Sequence, residues 1–291
     1  MDADLRLPYS PIVARPRFAW PGGARVAIWV VPNVEHYEYQ PAQVRVRDPW
    51  PRQPHPDVLN YGIRDYGNRV GLWRMLEVLD RHRIRCTASL SMAVLDMYPE
   101  IAAAMAARGW EYMSHGLYNT RYHWNYSEDE ERAAIAACQA IHRRHTGRDL
   151  AGWFSPAASY TLNTADLVAA AGIRYLCDFF HDDQPCEIAV RSGRLVSVPY
   201  GFELNDSVMH RRPLEGEDFE RMGRAMFDEL HENAGRWGGL VMAIGLHPYV
   251  MGAPHRIGHL DRLLAYLKGR DGVWWATGAE IADHWMAAHP R

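Results

Sequence analysis

A chain of 291 residues that is 48% hydrophobic and 23% charged can bury a large core, which excludes a disordered tail or low-complexity scaffold. Its net charge of −3 gives no field that would draw it to nucleic acid or an anionic membrane surface, and no stretch stays apolar for the roughly 18 residues a membrane span needs. Cys86, Cys138, Cys177 and Cys186 form neither a Cys-x-x-Cys pair nor a disulfide framework, so a reduced, cytoplasmic protein acting on a small-molecule substrate is expected.

Along the chain, short β-rich apolar runs alternate with helical patterns, the mark of a parallel sheet covered by helices. The first predicted strand is 25–31. From 32 to 65 no element is convincing: prolines recur at 41, 49, 51, 54 and 56 among aromatic residues. Long loops in compact domains are usually lids or binding loops, and this one, holding Tyr37, Tyr39, Trp50 and Tyr61, reads as a lid over a small, enclosed substrate. A helix over 68–82 follows, with Val70, Trp73, Leu76, Val78 and Leu79 as its core stripe, then a strand at 84–90 and a helix at 99–108. After a strand at 110–113, Ser127 with Glu130 three positions on forms a capping box that opens a helix ending before Gly147. Next come a strand at 150–154, a helix at 164–171, strands at 174–177 and 195–199, a helix at 218–236 and a strand at 240–246. A helix at 257–269, an eighth strand at 273–276 and a helix at 279–289 complete the chain. With no internal repeat or linker, this predicts one domain over 1–291, an α/β barrel of seven or eight strand–helix repeats.

In parallel α/β folds the catalytic groups gather at the carboxyl ends of the strands. Just past the successive strands stand Asn33, Glu35 and His36, then Ser89 and Ser91, then Ser114, His115, Asn119 and His123. Further on come Ser155, then Asp178, Asp182 and Asp183, then Glu203 and Asn205, and last His247. Any one of these has a bland reading, because polar residues commonly end strands, but their agreement marks a cleft. Glu35 suits a general base whose pKa is raised by desolvation under aromatic residues. His247 suits a general acid toward a leaving nitrogen. A serine triad is disfavoured because no Gly-x-Ser-x-Gly elbow is present. Trp50, Trp124 and Trp153 are the tryptophans placed to line the cleft.

The segments P-G-G-A-R-V-A-I (21–28), D-Y-G-N-R-V-G-L-W-R (65–74), G-W-E-Y-M-S-H-G (109–116), G-W-F-S-P (152–156), C-D-F-F-H-D-D-Q-P (177–185) and L-H-P (246–248) resemble the polysaccharide deacetylase superfamily, carbohydrate esterase family 4, in its allantoinase-like branch. The resemblance spans about 16–285 and implies an irregular (β/α)7 barrel of the polysaccharide deacetylase (NodB-homology) type, with Glu35 as base and His247 as acid. It implies metal ligands at His36 and His115 if a divalent ion such as zinc binds. Asn119 stands where a second histidine ligand would be, which favours a metal-free site. Arg69 would supply a positive charge, and Asn33, Asn119, Trp153, Ser155, Asp178, Asp182 and Asp183 would contact substrate. A homo-oligomer is also implied. The function expected is hydrolysis of a carbon–nitrogen bond in a small cyclic amide, imide or ureide such as allantoin. The alternatives are de-N-acetylation of an amino sugar or glycan, and a catalytically silent barrel that binds a ligand.

Overall fold

The computed structural model describes residues 6–42, 56–210 and 214–291, so most of the proline-rich run, Trp50 included, lies outside the described residues. Strand β1 (Val26–Val34) is buried along its whole length, as a strand covered on both faces must be. Its alternation sorts the side chains. Ala27, Trp29 and Val31 join an inner layer with Phe154, Tyr175, Val198, Tyr200 and Val241. Val26, Ile28 and Val30 belong to an outer layer with Leu72, Met75, Leu79, Leu263 and Leu264 under the surrounding helices.

The other strands are β2 (Thr87–Leu90), β3 (Glu111–Ser114), β4 (Gly152–Trp153), β5 (Tyr175–Leu176), β6 (Cys186–Ile188), β7 (Leu195–Ser197), β8 (Leu240–Leu246) and β9 (Val273–Trp275). Among the described residues they form one curled nine-stranded sheet in the order β6-β7-β5-β4-β3-β2-β1-β8, with β9 beside the start of β1. Every pairing is parallel except β6 with β7. The barrel is irregular because β7 and β8 do not pair along their length. Single hydrogen bonds span the seam, Val241 N donating to Asp183 O (2.9 Å) and Gly245 N to Leu204 O (3.0 Å).

Eight of the nine strands fall where the sequence places them. The short antiparallel β6 was not expected, since its three residues carry no alternation long enough to read. The helices are α1 (Val58–Tyr66), α2 (Leu72–Arg81), α3 (Val94–Met97), α4 (Pro99–Ala107), α5 (Glu128–Thr146), α6 (Thr164–Ala170), α7 (Gly216–Trp237), α8 (Ile257–Lys268) and α9 (Gly278–Ala288). The capping box on α5 forms as predicted, with the αL Gly147 after it. The expected loop over 32–65 is corrected at both ends. Strand β1 runs on to Val34, and α1 begins once Asp57 caps it by accepting from Asn60 N (3.0 Å).

Between α1 and α2 the chain makes a π-helical turn, Gly67–Gly71, against the loop that follows β8. A Cβ on Gly71 would lie 2.0 Å from Pro248 O, so only glycine allows this approach. Gly71→Ala is expected to destabilise the fold by about 1–3 kcal/mol through overpacking and to lower kcat, because Pro248 adjoins His247. A urea unfolding curve with an unshifted midpoint would contradict this.

The strand starts form a closed floor. Glu111 accepts from Thr87 Oγ1 (2.9 Å), Tyr175 Oη (2.9 Å) and Ala279 N at the start of α9, while burial pushes its carboxyl above the ordinary range. The opposite end, where the strands finish, is left for chemistry. Among the described residues no helix is long and apolar enough to cross a membrane.

Candidate functional site

Glu35 follows β1 directly and is almost fully buried. Asn119 Nδ2 donates to its Oε1 at 2.6 Å and Tyr37 Oη donates to its Oε2. His115 Nε2 lies 3.3 Å and His247 Nε2 3.8 Å from Oε1. Asn68 Nδ2 holds the Glu35 carbonyl (2.9 Å). Burial pushes the carboxyl up, but the His115 contact, the His247 charge and the Tyr37 hydroxyl outweigh it and hold the pKa at about 2. The expectation of a raised pKa is thereby corrected. The aromatic residues over Glu35 bring hydroxyls with them, and donors to the ionised form win over desolvation.

His247 follows β8 and is supported from behind by Asp206, which the sequence reading missed. Asp206 is fully buried, and its Oδ1 lies 2.7 Å from His247 Nδ1. Its Oδ2 accepts from His247 N (2.8 Å) and Met251 N (3.2 Å). Burial alone would lower the His247 pKa, but Asp206 and then Glu35 raise it above the ordinary imidazole value. This carboxylate fixes Nδ1–H and turns Nε2 toward Glu35. Asp206 directly follows Asn205, which the strand-end reading did single out.

His115 follows β3, with Nδ1 3.1 Å from the Phe154 carbonyl and its ring stacked on that of Phe154 at 4.4 Å. Beneath the three groups, Asn33 Nδ2 donates to Tyr200 Oη (2.8 Å) and to Leu246 O (3.2 Å), so Asn33 braces the cleft floor. Tyr249, Tyr37 and Arg64 pack over the mouth, the guanidinium 4.7 Å from the centre of the Tyr37 ring. The remaining space beside Glu35, Tyr37, Arg64 and Asn68 is about 10 Å³, about the room of one water molecule.

Glu35, His115, Asn119 and His247 are therefore brought together, with Asn33 below them. Other expected residues are placed elsewhere. Arg69 points outward, 73% exposed and paired with Asp65, because the π-helical turn rotates it off the cleft side. Arg64 is the cation near the site instead. Trp153 is fully buried in the outer layer and donates to Ser155 Oγ (3.2 Å), while Trp124 lies partly exposed beside Tyr122. Ser155 is fully buried and bonded to Asp178 through both N and Oγ. Asp182 and Asp183 lie at the seam. Asp182 is held by Arg15 (2.6 and 2.8 Å) and the Asp183 carbonyl is held by Val241.

His36 shares a turn with Glu35 but faces away, its Nδ1 2.9 Å from Tyr98 Oη, and burial lowers its pKa. The residues at the cleft do not fit a zinc ion, which takes three protein ligands and an open position. His36 is turned aside and Asn119 is committed to Glu35. Among the described residues, the set of three His, Cys, Asp or Glu donors within 4.8 Å of one another is His181, Asp182 and Cys186 at the seam.

Residues 63–176 match the family model described as polysaccharide deacetylase. A putative polysaccharide deacetylase of Schizosaccharomyces pombe is 28% identical over 93% of this chain and 93% of its own length. Among solved structures, Puue allantoinase superposes with a TM-score of 0.85 at 27% identity, covering 95% of each chain. A probable polysaccharide deacetylase from Pseudomonas aeruginosa PAO1 does so with 0.84 at 28% identity, covering 95% of this chain and 96% of that one.

Proposed function

We propose that this chain, which carries a polysaccharide deacetylase domain, hydrolyses a carbon–nitrogen bond outside a peptide, in a small cyclic amide or ureide of the allantoin type. The observation that carries the reading is Glu35, an ionised carboxylate between His115 and an Asp206-backed His247. Glu35 takes a proton from water as the water attacks the carbonyl carbon. Tyr37 Oη and Asn119 Nδ2, which donate to Glu35 while it is ionised, are the groups that turn to the negative charge on the carbonyl oxygen once Glu35 has taken up its proton. His247 Nε2–H then gives its proton to the leaving nitrogen, and Asp206 holds the imidazolium until that transfer. The allantoinase whose structure superposes on 95% of this chain supports a compact ring as the substrate.

A second reading, de-N-acetylation of an amino sugar, is favoured by the fission-yeast and Pseudomonas relatives, both named as polysaccharide deacetylases. The two part on one assay. Ring opening of allantoin-like compounds without acetate release supports the first, and acetate release from N-acetyl sugars replaces it with the second. Turnover of neither, with Glu35→Gln binding the same ligands as well as the parent, would leave a binding protein. Since the cleft donors do not form a zinc set, dialysis against a chelator is expected to leave kcat within about twofold. A stoichiometric ion, found by mass spectrometry, whose removal abolishes turnover would overturn the metal-free scheme.

A further inference from the structure

The Phe154–Ser155 peptide unit is gripped at both ends. Its carbonyl faces His115 Nδ1 at 3.1 Å, and its N–H donates to Asp178 Oδ1 at 3.0 Å. Asp178 Oδ2 accepts from Ser155 Oγ at 3.2 Å, and Trp153 Nε1 in turn donates to that hydroxyl at 3.2 Å. We infer that Asp178 is a positioning residue for His115, acting through this single peptide unit, a role that rests on the hydrolytic site described above.

The physical argument concerns polarisation. A carboxylate accepting from a peptide N–H draws that proton toward itself and shifts electron density onto the carbonyl oxygen of the same amide. The oxygen becomes a stronger acceptor, and hydrogen-bonded chains strengthen in this way by a modest fraction per bond in a low-dielectric interior. A stronger acceptor at Nδ1 keeps the proton there, fixes the ring plane and commits Nε2 to the cleft, where it meets Glu35. The Phe154 ring, stacked on His115 with 19° between the planes, holds the same orientation from the side.

Two facts set this apart from chance polar packing. Asp178 touches neither Glu35 nor His247 in any hydrogen bond or ion pair described for it; its bonds all run to Ser155. Its carboxyl is also held in unfavourable surroundings, since burial pushes its pKa up to about 7 against the pull of both Ser155 bonds, and the ionised form that polarises the amide prevails above that pH. The two cleft histidines thus have parallel support, His247 from Asp206 directly and His115 from Asp178 across one amide.

The test reads the histidine itself. Proton–nitrogen correlation spectra of the imidazoles would be recorded on the full chain for the parent, Asp178→Asn, Asp178→Ala and Ser155→Ala. The Asn variant keeps an acceptor for Ser155 N–H and guards against loss of the fold, which far-ultraviolet circular dichroism checks. The expected result is a slowly exchanging His115 Nδ1–H in the parent, displaced in Asp178→Asn and lost in Asp178→Ala, with Ser155→Ala close to the parent because its N–H remains. In turnover, Asp178→Asn is expected to lose kcat roughly tenfold, as removing a partner that orients a functional histidine does, with KM nearly unchanged. A His115 resonance unmoved in both Asp178 variants overturns the inference, whatever their activity. If no amide is turned over, the hydrolytic reading fails while the spectra still decide the role of Asp178.

Discussion

Glu35→Gln is expected to fold as the parent does and to lose roughly a thousandfold in kcat, the middle of the range for removing a general base. Glutamine keeps the shape that Asn119, Tyr37 and His115 surround, so KM should move little. That split separates loss of the base from loss of the pocket. The pH profile gives a second measure. Because the carboxyl is held at about 2, well below its ordinary 4.5, the acid limb of kcat/KM should lie far below neutrality. A limb near pH 6 would mean that another group is the base. Stability follows the same shift: the folded-state pKa is depressed, so the contribution of Glu35 is fully present above about 4.5 and is lost as the pH falls toward 2. Glu35→Gln should lack that component of acid unfolding.

The second large effect is expected at Asp206. Removing it as Asp206→Ala leaves His247 Nδ1, His247 N and Met251 N buried without their acceptor. Breaking such a buried pair costs about 3–5 kcal/mol, readable as a lower urea midpoint. Asp206→Asn retains an acceptor oxygen and is the cleaner probe of catalysis, with an expected loss of roughly a hundredfold or more in kcat. Asp206 raises the His247 pKa, and the acid must be protonated to serve the leaving nitrogen. The alkaline limb of kcat should therefore move to lower pH in Asp206→Asn; a limb that stays in place would separate Asp206 from His247. In the parent, the stability that His247 gains from the pair is fully present below its unfolded value of about 6.5 and is lost as the pH rises through the elevated folded value.

The two variants also divide the readings of function. A silent binding barrel would show the Asp206 stability loss and the Glu35 change in acid unfolding with no turnover to lose. A hydrolase shows both sets of effects, and the product, an opened ring or acetate, then names the substrate class.

The strand pattern was legible because β1 and β8 carry apolar runs bounded by turn residues, and their first polar followers, Glu35 and His247, could be read from the same boundaries. His115 was found in the same way at the end of β3. Periodicity does not say which way a turn rotates its side chains. The sequence points to Arg69, yet in the fold Arg69 lies in the π-helical turn, exposed and paired with Asp65, while Arg64 on α1 stands over the Tyr37 ring. Asp182 and Asp183 lie in a segment that reads as a strand-end loop, yet the missing β7–β8 pairing draws that segment into the seam. Asp206 was passed over because its partner is 41 positions away, a contact that no local pattern encodes. The sequence by itself determined the alternating α/β barrel and the places of Glu35 and His247 just past β1 and β8, since both follow from local hydrophobic pattern. Only the tertiary structure decided what surrounds them, the donors that keep Glu35 ionised and the carboxylates behind the two histidines. Those are contacts between strands distant in the chain, and they depend on curvature and register rather than on spacing.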